Sequence, residues 1–90
     1  MSSAIPPRRY DADQLAHLME ISAVVQCECP NQLSRVLASL TAFEDYSKNC
    51  ESTSAKDAEI HAMLYRRSAE ARVVLEKALA ELCAYEEIEV

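Results

Sequence analysis

Small and apolar residues in the C-terminal part of the chain recur at alternating steps of three and four. From His61 onward they fall at positions 61, 64, 68, 71, 75, 78, 82 and 85, with no proline or glycine between them. This is the heptad spacing of a helix that packs along another helix. The pattern predicts one unbroken helix over 54–85, about 48 Å long at about 1.5 Å per residue.

A second run of apolar residues predicts a shorter helix over 30–50. Leu33, Val36, Leu37, Leu40 and Phe43 lie on one face when they are placed at helical spacing. Pro30 suits the first turn of a helix, where its missing N–H costs nothing. This helix is about 31 Å long, so it covers barely two-thirds of the longer one.

The N-terminal part predicts a first helix over 12–26, preceded by a flexible lead over 1–10. Asp11 and Gln14 are spaced as a capping box, and Leu15 and Leu18 begin an apolar stripe. Pro6 and Pro7 disfavour a helix before that point. Ser54, followed by Asp57, predicts the cap of the third helix.

These elements predict an all-α fold, a three-helix antiparallel bundle with one long C-terminal helix. Ninety residues form one domain, which we place at 11–86, with 87–90 as a C-terminal tail. Because the third helix is longer than its neighbour, we expect the bundle to dimerise into a larger helical bundle. The candidate dimer or partner interface consists of Leu64, Ala71, Leu75, Ala78, Leu82 and Tyr85.

Composition narrows the possible functions. The chain has no glycine, which excludes the glycine-rich loops that bind phosphates and dinucleotides. Nine basic and fifteen acidic residues give a net charge of −6 without a basic cluster, so direct nucleic-acid binding is not expected. We expect a non-enzymatic protein-interaction and dimerisation module with a protein partner and no cofactor. No apolar stretch suggests a signal peptide or a membrane span, so the expected location is cytoplasmic.

The cysteines suggest an alternative function as a metal or redox sensor. If the hairpin turns near residue 52, Cys27 is level with about residue 77 and Cys29 with about residue 75, not far from Cys83. Three thiols at one end could hold zinc or iron. The other interpretation is that the cysteines are small buried hydrophobic residues. His17 and His61 are expected far from that end, and their carboxylate neighbours indicate ordinary capping and surface pairing.

The segment Arg8-Arg9-Tyr10-Asp11 through Ile21 resembles the segment that follows the wing in MerR-type transcription regulators. Cys27 to Ser47 and Asp57 to His61 are similar to a helical region of some longer regulators of that type. The resemblance implies a regulatory or dimerisation module in transcriptional control, separated from the helix-turn-helix that would precede Arg8. Arg9 and Tyr10 match positions that touch the DNA backbone in that family, but without the helix-turn-helix we do not expect them to bind DNA.

Overall fold

The computed structural model describes residues 5–21 and 27–90, and these residues form three helices and no strand. The helices are α1 (Ala12–Glu20), α2 (Cys29–Asn49) and α3 (Ala55–Glu86). The prediction of an all-helical chain with three helices is therefore confirmed for the described residues.

Helix α1 begins as predicted and ends earlier than predicted. The Asp11 side chain accepts a hydrogen bond from the Gln14 backbone N–H, and the Gln14 side chain accepts one from the Asp11 N–H. The helix ends at Glu20 because Ile21 has an extended backbone. The rest of the predicted helix, 22–26, lies outside the described residues. Asn31 of α2 donates to the carbonyls of Leu18 and Ile21, which binds the end of α1 to α2.

Helices α2 and α3 lie within one residue of their predicted bounds. Helix α2 has Pro30 in its first turn, and α3 begins after Ser54, whose hydroxyl accepts from the Asp57 N–H at 3.1 Å. Helix α3 runs for 32 residues without a break. It ends where Glu87 takes a left-handed backbone conformation (φ 57°, ψ 43°) and donates its N–H to Ala84.

The register of α2 against α3 differs from the predicted one. Glu44 Oε2 is 2.6 Å from Arg72 Nε, and Cys27 Sγ is 4.0 Å from Glu86 Oε2. Cys27 is therefore level with about Glu86, which is nine residues beyond the predicted residue 77. The loop after α2 does not reverse at once but runs beside the start of α3, where Ser52 Oγ lies 3.2 Å from His61 Nδ1.

One consequence of this register is that α3 extends past the end of α2. Counting back from Glu44 and Arg72, the last residue of α2, Asn49, is level with about residue 67 of α3. The first twelve residues of α3, about 18 Å of helix, therefore lie beside the 50–54 loop rather than beside α2.

The hydrophobic core joins all three helices, and α1 itself packs against α2. The buried side chains of the core come from all three helices and from both flanking segments: Tyr10, Leu15, Leu18, Leu37, Leu79, Cys83 and Ile88. The cluster extends from the contact between α2 and α3, where Leu37 and Leu79 lie, to the side on which α1 packs against α2. The other side has no third element of the described chain packed on it.

The described part of the predicted lead, residues 5–10, is packed against the helices. The carbonyls of Pro6 and Pro7 accept hydrogen bonds from Arg72, and the Arg9 N–H donates to Glu76. At the other terminus, Ile88 of the predicted tail is buried and donates its N–H to Cys83. Residues 1–4 of the predicted lead lie outside the described residues.

Candidate interaction surface

The α2–α3 contact contains a buried ion cluster in addition to the buried leucines Leu37 and Leu79. Arg72 is 1% exposed, and its guanidinium donates to Glu44 at 2.6 Å and to Glu76 at 3.1 Å. Burial alone would lower the pKa of Arg72, but the hydrogen bonds with Glu44 and Glu76 outweigh it and raise that pKa above its usual value. Arg72 therefore stays charged. The second carboxylate oxygen of Glu44, Oε1, is buried and has no hydrogen-bond partner among the described residues.

This cluster changes which face of α2 points inward. The buried residues along α2 include Asn31, Ser34, Glu44 and Ser47. Of the predicted apolar face, Leu37 is buried, whereas Val36 is 47% and Phe43 41% exposed. Val36 and Phe43 therefore lie at the exposed edge of the predicted face, because Leu37, Glu44 and Ser47 take the buried positions along α2.

The buried side of α3 also carries polar and charged residues, as the buried side of α2 does. The buried residues of α3 are Ser68, Ala69, Arg72, Glu76, Leu79 and Cys83. The six candidate interface residues lie beside these buried residues: Leu64, Leu75 and Leu82 are half-buried, and Ala71, Ala78 and Tyr85 are exposed. At about 100° per residue these six span about 80° of the helix circumference, so they form one strip along α3.

The exposed flank of α2 faces away from α1. Asn31 and Ala38 recur at a seven-residue step, and both contact α1 or the core beside it. Val36 lies about 160° from Ala38 around the helix, and Phe43 follows Val36 by seven residues. Phe43 also stacks on Tyr46, with ring centroids 6.5 Å apart.

The strips of α2 and α3 lie on the same side of the pair. With Glu44 level with Arg72, Leu40 is within one residue of the level of Leu75, and Leu33 within one residue of the level of Leu82. All four leucines are half-buried at the border between the two antiparallel helices, and Leu33 and Leu75 also pack against the core. We name this surface the open face; it consists of Val36, Leu40, Phe43, Leu64, Ala71, Val74, Leu75, Ala78, Leu82 and Tyr85.

The open face differs from the opposite side of the α2–α3 pair. On that opposite side α1 packs against α2, and residues 6 and 7 contact Arg72 of α3, whereas the open face exposes Val74 at 66% and Tyr85 at 82%. A contiguous exposed apolar patch marks a surface that binds another protein or a ligand. Periodicity alone identified six of these residues, and it missed that the strip continues onto α2.

The three cysteines of the alternative site are not brought together. Cys27 and Cys29 are exposed, and the neighbouring Cys27 side chain is the main cause that raises the pKa of the Cys29 thiol. Cys83 is buried in the core, where burial raises its pKa. Across 5–21 and 27–90, no group of three or more His, Cys, Asp or Glu side chains could hold a metal ion.

His61 belongs to a polar cluster that joins the 50–54 loop to α3. Its Nδ1 contacts Ser52, and its Nε2 is 3.7 Å from Asp57 Oδ1. The other oxygen of Asp57 accepts from the Thr53 N–H and hydroxyl, and the backbone bond is the main cause that lowers the pKa of Asp57. All four residues lie within the loop and the first turns of α3, so the cluster holds the loop along the helix.

The two positions that match the DNA-contacting residues of MerR-type regulators make internal contacts. Tyr10 is 8% exposed within the core, and burial raises the pKa of its hydroxyl. The Arg9 guanidinium lies 6.0 Å from the centre of the Tyr10 ring. Tyr10 is therefore not on the surface of the described chain.

Comparisons with known proteins add no assignment. No protein-family model matches the chain, and no curated protein or solved structure matches it. The resemblance to MerR-type regulators therefore stays a prediction. Among the described residues, none of the helices is both long and apolar enough to cross a membrane.

Proposed function

We propose that this protein is a non-enzymatic interaction module that dimerises through its open face. The three helices then form half of a larger helical bundle, with the open face of each copy at the centre. The opposite side of each protomer, where α1 packs, contributes Tyr10, Leu15, Leu18 and Ile88 to that protomer's own core.

The observation that supports this proposal most is the arrangement of polar and apolar side chains around α2 and α3. The contact between the two helices buries Arg72, Glu44 and Glu76, whereas Val74 and Phe43 point to solvent. A monomer arranged in this way leaves apolar side-chain area exposed to water. Burying such area contributes about 25 cal/mol of favourable free energy per Å². Association of two open faces would remove that area from water.

We place this module in transcriptional control, as the resemblance of residues 8–21 to MerR-type regulators implies. Its role there would be to hold two copies together or to bind a regulator, and not to read DNA. The net charge of −6 supports this separation of roles, because an acidic chain is repelled by phosphates.

A matched pair of alanine substitutions tests the proposal. Ala78 lies on the open face and Ala84 lies on the opposite flank of the same helix, and both are exposed. Ala78→Glu would place a carboxylate against apolar side chains in the dimer, and we expect it to raise the Kd of the dimer at least about tenfold, or about 1.4 kcal/mol. Ala84→Glu is expected to leave the Kd unchanged, as measured by sedimentation equilibrium.

Circular dichroism on both variants separates dissociation from unfolding. Neither alanine is buried in the protomer, so both variants should keep the helical signal of the unmodified chain. Equal dissociation constants for the two variants, with the helical signal kept, would show that the open face is not the interface.

A further inference from the structure

We propose that two copies pair with their α3 helices antiparallel, about a two-fold axis that passes near Val74 and Phe43. This inference rests on the proposed function, since it specifies how the open faces meet. It is carried by the order of side chains along the strip, by the distribution of charge along α3, and by the register of the two helices.

The strip on α3 is complementary to itself when it is reversed. An axis midway between Ala71 and Ala78 places Ala71 opposite the partner's Ala78, and two small residues let the helices approach closely at the centre. The same axis places Leu64 opposite the partner's Tyr85, a half-buried leucine beside the most exposed of the large hydrophobic side chains. In the antiparallel pair, alanine therefore packs against alanine at the centre of the strip, and leucine packs against tyrosine at each end.

The charges along α3 favour the same direction. Residues 55–67 carry three basic and two acidic side chains, whereas residues 81–90 carry four glutamates and no basic residue. Antiparallel pairing places Arg67, which contacts Glu70 at 2.9 Å in its own helix, within one residue of the level of the partner's Glu81. Parallel pairing would instead bring the two sets of four glutamates together, and like charges repel.

The antiparallel pair also extends along part of the stretch of α3 that α2 does not reach. The first twelve residues of α3 lie beyond the end of α2, and Ile60 there is 45% exposed. In the antiparallel pair, residues 83–86 of the partner's α3 are level with residues 63–66, and the tail after that helix is level with residues 59–62, which include Ile60. The partner therefore lies along residues 59–66.

The register places one large exposed side chain of each helix at the axis. Because Glu44 is level with Arg72, Phe43 is within one residue of the level of Val74. A two-fold axis perpendicular to the helices and lying between the two open faces therefore passes both residues. Phe43 then faces the partner's Phe43, at the same height at which Val74 faces the partner's Val74.

Disulfide cross-linking between two chains with one new thiol each tests the direction. Cys27, Cys29 and Cys50 are replaced with serine, the buried Cys83 is kept, and Ala71→Cys and Ala78→Cys are made separately. One variant is labelled with ¹⁵N so that mass spectrometry identifies mixed dimers after mild oxidation. We expect the 1:1 mixture to form mixed disulfide dimers and each variant alone to form few.

The reason is the axial distance between the new thiols. In the antiparallel pair the thiol at position 71 of one chain is level with the thiol at position 78 of the other. Two identical positions are instead separated by seven residues, about 10 Å along the axis. A disulfide requires Cα atoms within about 7 Å. The mixed dimer is therefore the product that the proposed geometry allows.

The same samples separate the two proposals. Dimers in light scattering, together with cross-links within each variant alone, position 71 to position 71 and position 78 to position 78, would overturn the antiparallel arrangement and leave the proposed function standing. Monomers in light scattering, without cross-links in any sample, would overturn the proposed function as well.

Discussion

Arg72 joins more parts of the protein than any other described side chain. It binds Glu44 of α2, Glu76 of its own helix and the carbonyls of Pro6 and Pro7. Its guanidinium is paired with the side chains of Glu44 and Glu76, and all three residues are buried. Breaking a buried ion pair by removing one partner is costly because the remaining charge stays buried and unpaired.

We therefore expect Arg72→Ala to lower the free energy of unfolding by about 3–5 kcal/mol. Arg72→Lys keeps the charge but cannot reach all four acceptors, so its loss should be smaller. Arg66→Ala, at an exposed position of the same helix, is the control and should change stability by about 0.5 kcal/mol or less. Urea unfolding followed by circular dichroism measures all three; equal losses for Arg72→Ala and Arg66→Ala would contradict the role of the cluster.

Local capping signals were the features that the sequence predicted best. Asp11 with Gln14 and Ser54 with Asp57 form the predicted caps, because a cap depends on residues within one helical turn. Arg72 and Glu44, by contrast, are 28 residues apart. A rule that groups apolar residues on one face could not find a charged contact at that separation, and it could not show that Val36 and Phe43 lie at the exposed edge of that face.

At the scale of elements, the 50–54 loop determines how α2 and α3 meet. A hairpin that reversed near residue 52 would place Glu44 level with about residue 60, twelve residues from its observed partner. The contacts of Ser52 with His61 and of Thr53 with Asp57 hold the loop along α3. Sequence spacing does not encode this extension of the loop, so the predicted levels of Cys27 and Cys29 were wrong even though the helix bounds were close.

The start of α3 should respond to acid through Asp57. The Thr53 N–H lowers the pKa of Asp57, so this contact stabilises the fold above the unfolded pKa of about 3.9. That contribution is lost as the pH falls through the lower folded pKa. We expect the amide chemical shift of Thr53 in NMR spectra to titrate with a midpoint below about 3.9.

Asp57→Asn is the control for that titration, because it removes the ionisable group and keeps an acceptor oxygen. The Thr53 transition should be absent from this variant. A Thr53 midpoint in the unmodified chain at or above the ordinary value for aspartate would contradict the contact between the loop and α3.

At the scale of the whole molecule, the protein is a pair of antiparallel helices that is covered on one side. The unbroken length of α3 was predicted from its heptad spacing and is confirmed. The open face follows from the combination of that length, the polar contact between α2 and α3, and the position of α1. Six of its residues could be identified from periodicity, whereas its extension to Val36 and Phe43 required the register.

The molar mass of the unmodified chain in solution tests the central claim most directly. Light scattering over a wide range of concentration should give twice the 10.1 kDa of one chain, with dissociation only at the dilute end. A mass of one chain throughout that range, with the helical signal intact, would contradict the claim that a second copy covers the open face.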